Sequence, residues 1–166
     1  MSDQAIKHAE KSFSNGSPAA PPAVTVRAAD SVDLPLVIAL DERNTAVPKP
    51  AYWRDLLERY ASSARPRFFL VAECDGRFAG FIIGEVRAWE FGSEPCGWIF
   101  AIGVEPEARL VGIGSRLLDA LCARFREAGV NKLRTMLGRD NNLIMSFFRS
   151  QGMMAGPFIQ LEKDLA

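Results

Sequence analysis

The chain has 166 residues, 48% apolar and 24% charged, with 20 Lys and Arg against 20 Asp and Glu. That length suits one globular domain, typically roughly 100 to 200 residues, whose core needs no disulfide or metal staple. Zero net charge leaves no basic surplus for a nucleic-acid backbone or an anionic membrane, and no run of 18 apolar residues is present, so neither nucleic acid nor membrane is an expected partner.

Cys74, Cys96 and Cys122 show no paired spacing and His8 is the one histidine, which removes His-based triads and Cys/His metal sets. A cytoplasmic protein with reduced cysteines and no metal is expected. Residues 1 to 23, ending in SFSNGSPAAPP, read as a flexible leader, and residues 24 to 166 as a single domain.

Val24 to Arg27 alternates as a strand does. Asp30 or Ser31 then caps a helix carrying Leu34, Leu36, Val37, Ile38 and Leu40, with Pro35 confined to its first turn. Trp53, Leu56, Leu57 and Tyr60 fall at helical spacing between Tyr52 and Tyr60. Extended runs follow: Phe68 to Cys74, an Asp75-Gly76 turn, and Arg77 to Phe91 as a long second strand. Trp98 to Val104 is apolar on both faces and reads as a central strand. Leu117, Leu118, Leu121, Cys122 and Phe125 trace a helix closed by Gly129; Lys132 to Leu137 reads as a strand, Asn142 to Gln151 as a helix closed by Gly152, and Phe158 to Leu165 as a last strand. The expected architecture is α/β, a mixed and mostly antiparallel sheet with one parallel pair and helices on both faces.

The most informative stretch is Val104 to Leu118, VEPEARLVGIGSRLL, which runs from a buried strand into the first turn of a helix. Helix first-turn N–H groups lack intrahelical partners and carry the positive end of the helix dipole, so such a turn receives phosphate. Gly112 and Gly114 keep Cβ atoms out of an anion's way, and Arg109 and Arg116 can add charge-assisted hydrogen bonds. The same glycines can equally serve a tight turn. No Gly-Lys-Ser/Thr is present, and Leu117 stands where a dinucleotide fingerprint requires Gly.

Arg109-Leu110-Val111-Gly112-Ile113-Gly114, preceded by Val104-Glu105-Pro106, resembles the acetyl-CoA motif Arg/Gln-x-x-Gly-x-Gly/Ala of the GNAT superfamily of N-acetyltransferases. The stretch from Asn141 to Gly152, NNLIMSFFRSQG, is similar to the later signature of that family, and the element order agrees from residue 24 to 166. The resemblance implies an acetyl-CoA-dependent N-acetyltransferase acting on a primary amine of a small molecule or a protein, by direct attack in a ternary complex. It implies that the pyrophosphate lies on the amides of residues 109 to 115, with Ser115 and Arg116 at the helix start. The pantetheine would pair with the strand edge at Ile102, Gly103 and Val104, Asn141 would hydrogen-bond the ligand, and Phe147 or Phe148 would pack at its thiol end.

Acyl transfer to an amine needs a neutral nucleophile, and deprotonating an ordinary lysine (pKa about 10.4) at pH 7 costs roughly 4.6 kcal/mol. The strand entering the CoA turn offers no Glu, and Phe148 stands where many family members carry a Tyr acid. Glu85 and Glu90 are the alternative bases, and Trp53, Trp89, Phe91, Trp98 and Phe100 the apolar acceptor wall. Tyr52 and Tyr60 read as packing residues. A non-catalytic CoA-binding sensor or regulatory module is the competing reading. The last strand and exposed sheet edges suit a homodimer.

Overall fold

The computed structural model describes residues 21–61, 65–89 and 92–165. Strand β1 (Val24–Ala28) leads through a short 3-10 turn into α1 (Leu34–Thr45) and α2 (Pro50–Ala61). Strands β2 (Arg67–Cys74), β3 (Arg77–Arg87) and β4 (Cys96–Val104) form a meander, followed by α3 (Ile113–Glu127), β5 (Leu133–Thr135) and α4 (Asn142–Ser150). The five strands lie in the order β1-β2-β3-β4-β5, antiparallel except for the β4–β5 pair. Residues 1 to 20, which include His8 and most of the stretch 1 to 23 expected to be a leader, lie outside the described residues, as do Glu90 and Phe91.

Each face of the sheet carries its own core. Val37, Leu40, Trp53 and Leu56 of α1 and α2 pack on Phe69, Val71, Phe81 and Ile83. Leu117, Leu121 and Phe125 of α3, with Phe148 of α4, pack on Leu70, Ala72, Ile82 and Ile99. Alternating strand residues therefore feed opposite layers, as the period of two demands.

Two departures from the sequence reading follow from backbone pairing. The long second hairpin strand ends at Arg87 rather than Phe91, and Trp89 turns the chain with φ 63°. No strand forms over Phe158–Leu165: among the described residues this segment pairs with no sheet edge, and Phe158, Ile159, Leu161 and Leu165 are exposed. Its apolar residues do not keep a clean period of two, and β5, its nearest available neighbour in chain order, is only three residues long. Among the described residues, no helix is long and apolar enough to cross a membrane.

Candidate acetyl-CoA and acceptor cleft

The parallel pair is short. Gly97, Trp98 and Ile99 stand opposite Leu133, Arg134 and Thr135, and the Thr135 hydroxyl donates to the Ile99 carbonyl at 3.1 Å. Beyond Ile99, β4 continues to Val104 without a β5 partner, so the two strands splay and expose a β4 edge along residues 100 to 104. A β-bulge adds to this: Ile83 pairs with Ala101 and Gly84 with Ile99, leaving Phe100 opposite no β3 residue. The extra residue switches side-chain direction, so that Ile99 packs under α3 while Ala101 packs under α1 and α2.

At the end of β4 a 3-10 turn, Pro106–Val111, delivers the chain to α3. Gly112 sits at the junction in the left-handed region, φ 77°, with open space where a Cβ would point. It provides no side-chain cap for the first-turn amides of α3, and Gly112, Gly114 and Ser115 line the adjoining cleft. A Cβ on Gly114 would approach Phe147 Cε2 at 3.0 Å, so this glycine also admits the aromatic ring of α4. Of the roles weighed in the sequence, the tight turn is seen at Gly112, whose positive φ favours glycine.

The splay, the bulge and the turn line one cleft of about 670 Å³. Phe100, Ile102, Gly103, Val104, Arg109, Gly112, Gly114, Ser115, Asn141, Phe147 and Phe148 all line it. Some of them do so for reasons other than those read from sequence. The space beyond Gly103 that a Cβ would take is filled from the core by Phe81 at 2.7 Å and Leu40 at 3.2 Å. The Asn141 side-chain oxygen accepts from the Ile144 amide at 3.3 Å and so caps α4. Phe148 is buried in the α3 core.

Other predicted site residues do not line the cleft. Ile113 is fully buried in the core, and Val111 and Arg116 are exposed on the turn and helix surface. Leu110 takes part through its backbone in the 3-10 turn. Trp89 is solvent-exposed beyond the end of β3, and Trp98 lies under the Arg87 guanidinium, 5.0 Å from its ring centre. Of the acceptor wall, Phe100 and Trp53 reach the cleft. Glu85 does not: it pairs with Arg67 at 3.1 Å and Arg87 at 3.5 Å, beside the Tyr60 hydroxyl at 3.5 Å. Burial, reinforced by the Glu85 charge, pushes the Tyr60 hydroxyl far above its ordinary pKa. Through these contacts Glu85 ties α2 to the sheet.

The far end of the cleft is lined by Asp41, Asn44 and Thr45 of α1, Lys49 of the connection, and Tyr52 of α2. Sequence reasoning passed over them and assigned Tyr52 to packing, although Tyr52 is 45% exposed and lines the cleft. A signal was present: Val37, Leu40, Asp41 and Asn44 share the i, i+3, i+4, i+7 stripe, which puts a carboxylate on the inward face of α1. Among the described residues, no cluster of metal-ligating side chains occurs.

The model of the Acetyltransferase (GNAT) family matches residues 34–153, and the chain belongs to that family. Relatives include an L-2,4-diaminobutyric acid acetyltransferase from Nocardia farcinica, 32% identical over 91 residues, covering 55% of this chain and 46% of that protein. A mycothiol acetyltransferase from Thermobispora bispora is 31% identical over 88 residues, covering 52% of this chain and 30% of that protein. The matched segment thus spans less than half the length of these relatives. Among solved structures, aminoglycoside N-acetyltransferase AAC(6')-Iy in complex with CoA superposes with a TM-score of 0.77 at 15% identity, covering 89% of this chain and 99% of that one. At that identity the likeness concerns the fold, which is shared over nearly the whole chain.

Proposed function

We propose that the protein is an acetyl-CoA-dependent N-acetyltransferase that moves an acetyl group to a primary amine by direct attack within the cleft. The observation that carries this reading is the continuity of one cleft from the uncapped α3 turn, along the open β4 edge, to a polar pocket between α1 and α2. In this reading the phosphates rest on the amides of residues 112 to 115 with Arg109 beside them, and the pantetheine pairs with Ile102 to Val104. The thioester lies near Phe100 and Phe147, where the bulge has turned β4 outward.

Acetyl-CoA supplies the activated acyl group; the chain's own residues bind, orient and exclude water. With Glu85 paired to Arg67 and Arg87 and not among the residues lining the cleft, proton removal falls to water in the cleft rather than to Glu85. The cleft is open to solvent, and the acceptor is the primary amine of a small molecule or of a protein. We place the reaction in the cytoplasm, which the three free cysteines suit, and infer a homodimer that covers the exposed apolar segment near the C-terminal end.

Titration with acetyl-CoA by calorimetry, followed by thiol release against pooled small amines and lysine peptides, tests the assignment, and light scattering of the same sample reads the assembly. Binding with release from one of the pools is expected. Binding without release from any pool would favour the sensor reading, for which the absence of a Tyr hydroxyl at Phe148 speaks.

A further inference from the structure

The acceptor end holds a second recognition element. Asp41 is the one carboxylate lining the cleft among the described residues. Its side chain is only 10% exposed, and its Oδ2 accepts from the buried Trp53 indole at 2.8 Å, which fixes the carboxylate in place. Its ionic partner is Lys49, whose ammonium lies 3.0 Å from Oδ2 and 3.3 Å from Oδ1. The two partners differ in freedom. Asp41 is anchored on a buried helix face, whereas Lys49 stands on the connection before α2 with a side chain 35% exposed.

A nearly buried carboxylate needs a cation beside it, but any ammonium of the right reach meets that need. The Lys49 head group can swing to water and be rehydrated, while an incoming ammonium takes over its two contacts. We propose that Asp41 is the seat of a second, non-reacting ammonium of the acceptor, and that Lys49 holds this place until the acceptor displaces it. The proposal rests on the N-acetyltransferase reading and narrows its acceptors to compounds carrying at least two amines. The amine on Asp41 is not the nucleophile: pairing with a carboxylate raises the pKa of an ammonium, whereas attack on a thioester requires the neutral amine. A different amine of the same molecule must therefore reach the thioester.

The competing role for Lys49 is to tie down the α1–α2 connection, and the two roles predict opposite signs. On the CoA-loaded protein, calorimetry should show 1,3-diaminopropane binding about tenfold more tightly than propylamine, a difference of roughly 1.4 kcal/mol. Asp41→Asn, which keeps an oxygen for the Trp53 indole, should abolish this preference. Lys49→Met should tighten the diamine about threefold or more without tightening propylamine, because the internal competitor is gone. Weaker binding of both amines to Lys49→Met, with the preference intact in Asp41→Asn, would overturn the proposal. If Asp41→Asn fails to fold, the sign of the Lys49→Met effect decides. Thiol release measured with both amines separates the two levels: binding preference without release defeats the catalytic reading alone, and release with no preference for the diamine defeats the Asp41 assignment alone.

Discussion

Gly112 concentrates two demands in one residue. Its φ of 77° is a conformation that side chains resist, at a cost of about 1 kcal/mol, while the open space above it lies where phosphate is proposed to bind. Strain and charge can be separated with an isosteric pair. Gly112→Asn and Gly112→Asp carry nearly the same shape at the same φ, and both residues tolerate the left-handed region better than most. Gly112→Asn should weaken acetyl-CoA about tenfold or less, whereas Gly112→Asp, placing a carboxylate among phosphates, should weaken it a further hundredfold, about 2.7 kcal/mol. Calorimetry at low and high salt checks this, since only the Asp variant's deficit should shrink as salt screens it. Equal affinities for the two variants would remove phosphate from this turn. Gly112 and Gly114 were readable because the motif is contiguous; that Gly114 also makes room for Phe147 was not, because the ring arrives from a helix thirty residues later.

Among the elements, the start of α1 shows how a local signal and a spatial one divide the work. Pro35 stands in the first turn of α1, as the sequence predicts, but the Asp30 cap falls one element earlier: Asp30 and Asp33 form a reciprocal capping box on the short 3-10 turn, and α1 itself starts after Asp33 with no side-chain cap. What the sequence does not display is that Asp33 also binds Arg27 of β1 through both carboxylate oxygens, at 2.7 and 2.8 Å. Burial pushes the Asp33 carboxyl up, but the Arg27 hydrogen bonds and the Asp30 amide outweigh it and hold its pKa below the ordinary value. A carboxyl lowered on folding stabilises the fold above its unfolded pKa, near 3.9, and loses that contribution as pH falls through the lower folded value. Asp33→Asn should therefore cost about 2 kcal/mol, the scale of a charged hydrogen bond, at every pH from 5 to 8. In urea unfolding the gap between wild type and variant should close only below about pH 4. A gap that stays constant down to pH 3 would show that Asp33 acts through shape rather than charge. The contrast with residues 158 to 165 is physical: a helix start is specified by neighbours in sequence, whereas a strand exists only if an edge elsewhere receives it.

At the scale of the whole molecule the two halves of the cleft differ in legibility for the same reason. The proposed cofactor half comes largely from residues 102 to 115 and could be read as one motif, while Asp41, Lys49 and Tyr52 reach the proposed acceptor half from α1, α2 and the connection between them, some sixty residues earlier, through packing alone. The strand β4 joins them. Its bulge sends Ile99 into the α3 core and Ala101 into the α1–α2 core, so a ligand laid along its open edge braces both layers. Binding should then stabilise the protein as one unit by RT ln(1 + [L]/Kd), about 2.7 kcal/mol at a hundredfold excess of acetyl-CoA over Kd. For a chain of this size, each kcal/mol moves the melting temperature by roughly 2 to 4 °C, so a single transition should rise by about 5 to 10 °C in differential scanning calorimetry. The same excess should leave Gly112→Asp unmoved. Two resolved transitions, with only the later one rising, would show that the α1–α2 layer melts independently of β4 and that the acceptor end is ordered without help from the cofactor.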